Sequence, residues 1–141
     1  MCCAESCTGG LIGAAMTDMA GSSEYFLGSA VTYSNEAKMK LLGVREQTLA
    51  DHGAVSEETA SEMALGAAAL FGADYSVAVT GIAGPGGETP TKPVGLVYIA
   101  VSDGSRVVVT KNNFEGGRQQ VRDSTVMEAC GLLKDFIEGI L

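Results

Sequence analysis

The sequence predicts an α/β domain built on a mixed β-sheet. Strand-like runs alternate with segments of helical periodicity along most of the chain, which is typical of parallel strands joined by helices. A late pair of strands, Gly95–Ser102 and Ser105–Phe114, meets at Asp103-Gly104, a strong hairpin signal that adds antiparallel pairing. The 141 residues are 46% hydrophobic and 18% charged, so we interpret residues 1–141 as one domain with a substantial core.

The first two strands flank the first predicted helix. Met1–Ala4 is short and apolar, and we interpret it as the end of a strand. Apolar residues at helical spacing predict a helix from Gly9 or Gly10 to Ala20. A second strand is predicted within residues 26–33, whose last four residues (Ala30-Val31-Thr32-Tyr33) are mainly β-branched and aromatic.

Three helices are predicted between the second and third strands. The first, Asn35–Leu42, follows Ser34, a residue suited to cap a helix. Glu46–His52 is predicted as a short helical turn. The longest begins after Ser56, where acidic residues in the first turn suit the helix dipole, and runs to about Phe71.

The third strand leads into a glycine-rich loop. Asp74–Thr80 is predicted to be a buried strand, and Gly81–Gly87 follows at its carboxyl end. Glycines there let a ligand approach the backbone closely, although a plain structural turn is the alternative. A last helix is predicted over Arg118–Ile137.

Composition excludes several classes of function. The net charge of −8 disfavours a general nucleic-acid surface, which needs a basic patch, but it leaves room for a small phosphorylated ligand. No two of the four cysteines have CxxC spacing and the single histidine is remote from them, so no metal site is predicted. No apolar run reaches the ~20 residues that span a bilayer, so no membrane partner is expected. Free thiols in such a chain fit a reducing cytoplasm.

A candidate nucleophile lies between the first strand and the first helix. Ser6 stands in Ala4-Glu5-Ser6-Cys7-Thr8-Gly9-Gly10, near the unpaired N–H groups that begin a helix and can hold an oxyanion. A serine needs a base, and two candidates remain open: His52 and Lys38, the latter on the first turn of the helix after the second strand. Alternatively, Ser6 only caps the helix, or Cys7 is the nucleophile.

Five ordered segments resemble the CinA C-terminal domain family and span most of the chain. They are Ala4–Gly10, Val31–Lys38, His52–Ser56, Gly81–Pro85 and Lys92–Gly95. Members of this family include nicotinamide mononucleotide deamidases, which convert nicotinamide mononucleotide and water to nicotinate mononucleotide and ammonia. The resemblance therefore implies a three-layer α/β/α sandwich with a mixed sheet. It also implies a homodimer that needs no metal or other cofactor and has a small nucleotide as its substrate.

The resemblance also implies roles for individual residues. Ser6 matches the family's nucleophile, Lys38 its general base and Tyr33 a site tyrosine. Arg118 matches a functional arginine suited to a phosphate, with Arg122 as a rival one turn later. The remaining substrate-binding candidates are oxyanion donors near Thr8, Gly9 and Gly10, and loop residues Thr80, Gly81, Ala83 and Gly84.

The sequence differs from the family in two ways, and three other functions remain open. The family's N-terminal helix before the first strand is missing, which leads us to expect either an upstream start or exposed apolar surface. A larger N-terminal domain resembling molybdopterin-binding proteins is also missing, so a pyrophosphatase activity linked to it is not expected. The rivals are an amidohydrolase with another substrate, an inactive nucleotide-binding or regulatory domain, and a partner in DNA uptake, which the acidic charge disfavours.

Overall fold

A five-stranded mixed sheet forms the centre of the computed structural model, which describes residues 1–141. The strands lie in the order β2-β1-β3-β4-β5. β1 pairs in parallel with both β2 and β3, whereas β4 and β5 pair antiparallel as the predicted hairpin. The mixed sheet expected from the sequence is therefore confirmed. The strands are β1 (Cys2–Glu5), β2 (Gly28–Val31), β3 (Ser76–Gly81), β4 (Leu96–Ser102) and β5 (Val107–Asn113).

Helices cover both faces of this sheet, which gives the three layers that the family resemblance implied. α1 and α5 pack on one face, and α4 packs on the other with α2 and α3 beside it. None of the helices combines the length and the apolar character needed to span a bilayer. The helices are α1 (Leu11–Thr17), α2 (Asn35–Leu42), α3 (Glu46–His52), α4 (Glu57–Phe71) and α5 (Arg118–Ile137).

The two faces of the sheet have different cores because successive strand residues point in opposite directions. Val77 and Val79 of β3 face α5 in a core of branched side chains, while Ala78 between them faces α4. The α4 side is rich in alanine, so backbones approach closely there. A Cβ atom on Gly66 of α4 would lie 1.9 Å from the carbonyl oxygen of Leu42 in α2.

The starts of α2 and α4 match the predicted caps, but both ends of α1 differ from the prediction. The hydroxyl of Ser34 accepts from the N–H of Ala37 at 3.0 Å, and Ser56 caps α4 in the same way. α1 begins at Leu11 rather than at Gly9 or Gly10, because both glycines have positive φ angles of 60° and 110°. α1 also ends at Thr17, short of the predicted Ala20, and a 3-10 turn follows at Ser22–Glu24.

The second strand is also shorter than predicted, and its end matters for the site. β2 stops at Val31, so Thr32 and Tyr33 lie beyond it. The N–H of Thr32 still donates to the carbonyl of Glu5 at 2.8 Å, which keeps this segment beside the end of β1. The carbonyl groups of Thr32 and Tyr33 accept from Lys38 instead of from a strand partner.

Candidate active site

A pocket of about 230 Å³ opens beyond the carboxyl ends of the parallel strands. This is the edge at which open α/β sheets usually bind ligands. Seven of its lining residues were predicted from the sequence: Ser6, Tyr33, Lys38, Thr80, Gly81, Ala83 and Arg118. The other three are Cys7, which the sequence offered only as an alternative nucleophile, and Ala54 and Val55, to which it assigned no role.

Ser6 and Lys38 are in direct contact at the floor of this pocket. The Nζ atom of Lys38 lies 2.9 Å from the Oγ atom of Ser6, and the two residues are 1% and 8% exposed. Strand register produces the contact: Glu5 pairs with Val31, so Ser6 follows β1 at the level where the chain leaves β2. α2 then starts after Ser34 and directs its buried lysine back toward the serine.

Two backbone carbonyls fix the position of the lysine amine. Nζ donates to the carbonyl of Thr32 at 2.9 Å and to that of Tyr33 at 3.1 Å. No carboxylate forms an ion pair with Lys38. Burial lowers the pKa of Lys38 from 10.5 to about 8, and electrostatic attraction to Cys7 opposes this shift. An appreciable fraction of the amine is neutral near physiological pH.

The neighbouring thiol of Cys7 has a raised pKa, whereas the pKa of the Lys38 amine is lowered. Cys7 lines the pocket beside Ser6 and is 6% exposed. Burial, the largest effect, raises its pKa to about 11, although the Arg122 guanidinium and Lys38 lower it somewhat. Because the thiolate is the reactive form of cysteine, the thiol of Cys7 is a poor nucleophile at neutral pH.

Hydrogen bonding in the segment 6–10 corrects part of the predicted oxyanion site. The N–H of Gly9 donates to the carbonyl of Ser6 at 3.2 Å, and that of Gly10 to the carboxylate of Glu5 at 3.2 Å. Thr8 is fully buried and its hydroxyl donates to the same carboxylate. None of these three residues lines the pocket. Within this segment, the N–H groups without a hydrogen-bond partner in the protein are those of Cys7 and Thr8.

The opposite wall joins the end of β3 to the segment between α3 and α4. The hydroxyl of Thr80 donates to the carbonyl of Ala54 at 2.8 Å and so brings Ala54 and Val55 to the pocket. Gly81 is required by strand packing, since a Cβ there would lie 2.6 Å from a methyl group of Val97. Thr80 is thus a wall residue whose hydroxyl is already engaged.

The two arginines of α5 have separate positions. Arg118 lines the pocket and donates to the carbonyl of Gly84 at 2.7 Å, so Gly84 anchors the arginine although it does not line the pocket itself. Arg122 instead donates to the carbonyls of Cys7 at 3.1 Å and Thr8 at 3.3 Å. Arg122 therefore braces the segment that follows Ser6.

The remaining candidates lie at the rim or outside the pocket. The side chain of Tyr33 borders the pocket and is largely exposed, at 65%. His52, the alternative base, does not line the pocket and lies 3.5 Å from the carboxylate of Glu58 at the surface. No group of three or more His, Cys, Asp or Glu side chains is placed to hold a metal ion.

Comparison with known proteins agrees with this architecture. The family model of the CinA C-terminal domain matches residues 1–137. A CinA-like protein of Endomicrobium trichonymphae is 58% identical over 131 residues, which are 93% of this chain and 31% of that protein. A putative competence-damage inducible protein of Thermoanaerobacter pseudethanolicus is 48% identical over 96% of this chain and 33% of its own length. The chain thus spans about a third of the curated relatives it matches.

Solved structures of similar proteins have the same fold. The competence/damage inducible protein CihA of Agrobacterium tumefaciens superposes with a TM-score of 0.91 at 47% identity, over 94% of this chain and 81% of that one. A competence-damaged protein (CinA) superfamily protein of Klebsiella pneumoniae gives a TM-score of 0.93 at 36% identity, over 97% and 86% of the two chains. Fold and sequence together define the class, and this chain belongs to the CinA C-terminal domain family.

Proposed function

We propose that this domain hydrolyses the carboxamide of nicotinamide mononucleotide to give nicotinate mononucleotide and ammonia, with Ser6 as nucleophile and Lys38 as general base. The observation that carries the proposal is the 2.9 Å contact between the Ser6 hydroxyl and a buried lysine amine. A serine hydroxyl is unreactive until a base removes its proton, and a base must lie within hydrogen-bonding distance to do so.

The surroundings of Lys38 support its role as a base. Carbonyl oxygens only accept hydrogen bonds, so the carbonyls of Thr32 and Tyr33 each take one N–H of the amine. A neutral amine has two N–H groups and one lone pair. With both N–H groups engaged, the lone pair is directed at the Ser6 hydroxyl.

The reaction then follows in two stages. Lys38 takes the proton of Ser6 as Oγ attacks the amide carbon, and the N–H of Cys7 stabilises the oxyanion. The protonated lysine returns the proton to the amide nitrogen, which leaves as ammonia. Water, deprotonated by the again neutral lysine, cleaves the ester and releases the carboxylate product and Ser6.

The charges of the pocket favour an anionic substrate. Arg118 is a permanently charged cation among its lining, and no acidic residue lines the pocket, although the chain as a whole has a net charge of −8. Arg118 offers a planar pair of donors that suits a phosphate, and Tyr33 at the rim offers an aromatic face to a pyridine ring.

Ammonia release from nicotinamide mononucleotide tests the proposal. Wild type should turn over, while Ser6→Ala and Lys38→Ala should be inactive although folded. Ser76→Ala is a matched control, because it removes a buried hydroxyl that donates to the carbonyl of Ala64, away from the pocket. Binding is measured in parallel by calorimetry. Wild type that binds the nucleotide without releasing ammonia would favour a binding or regulatory domain, and turnover of another amide alone would change the substrate.

A further inference from the structure

A buried carboxylate stands directly before the proposed nucleophile. Glu5 is the last residue of β1 and is 0% exposed. No lysine, arginine or histidine forms an ion pair with it. A buried charge without a counter-charge needs hydrogen-bond donors in its place. Glu5 has five of them, an unusually complete set for one side chain.

These donors come from three parts of the fold. Oε1 accepts from the hydroxyl of Thr8 at 2.7 Å and from the N–H groups of Gly10 at 3.2 Å and Ile12 at 2.8 Å. Oε2 accepts from the N–H of Gly13 at 3.0 Å and from the hydroxyl of Ser29 in β2 at 2.6 Å. One carboxylate therefore ties together the segment after the nucleophile, the start of α1 and the strand that leads to Lys38.

The segment after Ser6 is held from two sides by groups of opposite charge. The carboxylate of Glu5 accepts hydrogen bonds from the hydroxyl of Thr8 and the N–H of Gly10. Arg122 donates to the carbonyls of Cys7 and Thr8. An anion thus binds two donors of this short segment and a cation binds two of its carbonyl groups, so the segment is held on both sides.

We propose that Glu5 is a positioning residue, which acts on the reaction by holding the Ser6–Gly10 segment in the geometry of the transition state. This inference rests on the proposed function. The carboxylate keeps Oγ of Ser6 beside the lysine amine and keeps the N–H of Cys7 oriented for the oxyanion, although it touches neither reacting group.

Two substitutions separate this role from simple support of the fold. Glu5→Gln keeps the shape but turns one acceptor into an amide NH₂ group that meets donors. Thr8→Val keeps the carboxylate and its bond from Gly10, and removes only the hydrogen bond that the Thr8 hydroxyl donates to it. Ser76→Ala removes a comparable buried hydroxyl elsewhere and serves as the control.

We expect kcat to fall on the order of 10²-fold for Glu5→Gln and about tenfold for Thr8→Val, with KM within about twofold of wild type. The pH at which the rate is half-maximal should not move, since the carbonyl partners of Lys38 are untouched. Ser76→Ala should keep the wild-type kcat. Folded fractions are measured by circular dichroism at the assay temperature.

Labelling of Ser6 by a fluorophosphonate gives a readout that needs no amide substrate. The Oγ–P bond forms as the P–F bond breaks, fluoride leaves, and Lys38 takes the proton; mass spectrometry counts the adduct. Slower labelling of Thr8→Val at full folding supports the inference, even where wild type does not hydrolyse the nucleotide. The inference is overturned if folded Thr8→Val keeps the wild-type kcat or labelling rate. It is also overturned if kcat and the labelling rate fall only in proportion to the unfolded fraction.

Discussion

Replacing Lys38 by methionine tests whether burial holds its amine neutral above pH 8. Lys38 is 1% exposed and has no carboxylate partner, and burial lowers its pKa from 10.5 to about 8. Methionine has a similar length and carries no charge. We therefore expect the free energy of unfolding of wild type, minus that of Lys38→Met, to change with pH between these two pKa values.

The sign follows from the protons bound by each state. Below about pH 8 the lysine is protonated in both the folded and the unfolded chain, so its burial destabilises the fold by a constant amount. Between 8 and 10.5 only the unfolded chain keeps the proton, so raising the pH stabilises the folded wild type. The difference in pKa corresponds to about 3 kcal/mol, and the stability difference should rise by about that amount.

Urea denaturation at a series of pH values measures this difference. Comparison with the variant is needed because burial raises the pKa values of Cys2, Cys3 and Cys7, so their titration destabilises the fold over the same range. Lys40→Met on the same helix is the control; Lys40 is exposed, and its curve should run parallel to wild type. A difference for Lys38→Met that stays flat to within about 1 kcal/mol would refute the depressed pKa and, with it, the argument for a neutral base.

Three further predictions concern rate, substrate recognition and packing. The kcat/KM for ammonia release should rise about tenfold per pH unit up to about pH 8 and then level off, since only neutral Lys38 accepts a proton; a flat profile from roughly pH 6 to 9 argues against this base. Arg118→Ala should raise KM for the mononucleotide roughly 10- to 100-fold but leave KM for the phosphate-free nucleoside unchanged. Arg122→Ala should instead lower kcat. Steady-state kinetics on both substrates tests this, and an equal rise in KM for both substrates in Arg118→Ala contradicts a phosphate role. Gly66→Ala should lower the free energy of unfolding by more than about 3 kcal/mol, because its Cβ would meet backbone atoms. Gly131→Ala, with no atom within 4 Å of its Cβ, should raise it by about 0.5–1 kcal/mol. Urea midpoints that shift in the same direction for both variants would refute the packing argument.

The fold was predictable where local chemistry determines it. Serine caps and glycine stops set the bounds of α2 and α4, and Asp103-Gly104 joins the hairpin as predicted. The ends of α1 and β2 were not predictable in the same way. Gly9 and Gly10 adopt positive φ angles, and their N–H groups donate to the carbonyl of Ser6 and the carboxylate of Glu5, so they form a turn before α1.

The contact between Ser6 and Lys38 was predictable, and the rest of the pocket was less so. Ser6 and Lys38 each follow a strand, and neighbouring parallel strands bring their carboxyl ends together. Ala54 reaches the pocket only through its bond to Thr80, which is 26 residues away in sequence. The contact of Arg122 with Cys7 spans 115 residues. Such contacts depend on how helices dock, and no local pattern in the sequence encodes that.

The lining of the pocket comes from two separate parts of the chain. Ser6 and Lys38 come from the first 38 residues, whereas the walls and the pocket arginine come from positions 54 to 118. The reactive pair depends on β1, β2 and α2, and the walls depend on β3 and the start of α5. Under the proposed function, substitutions in the later walls or at Arg118 would change which acyl donor binds while the contact between Ser6 and Lys38 stays in place.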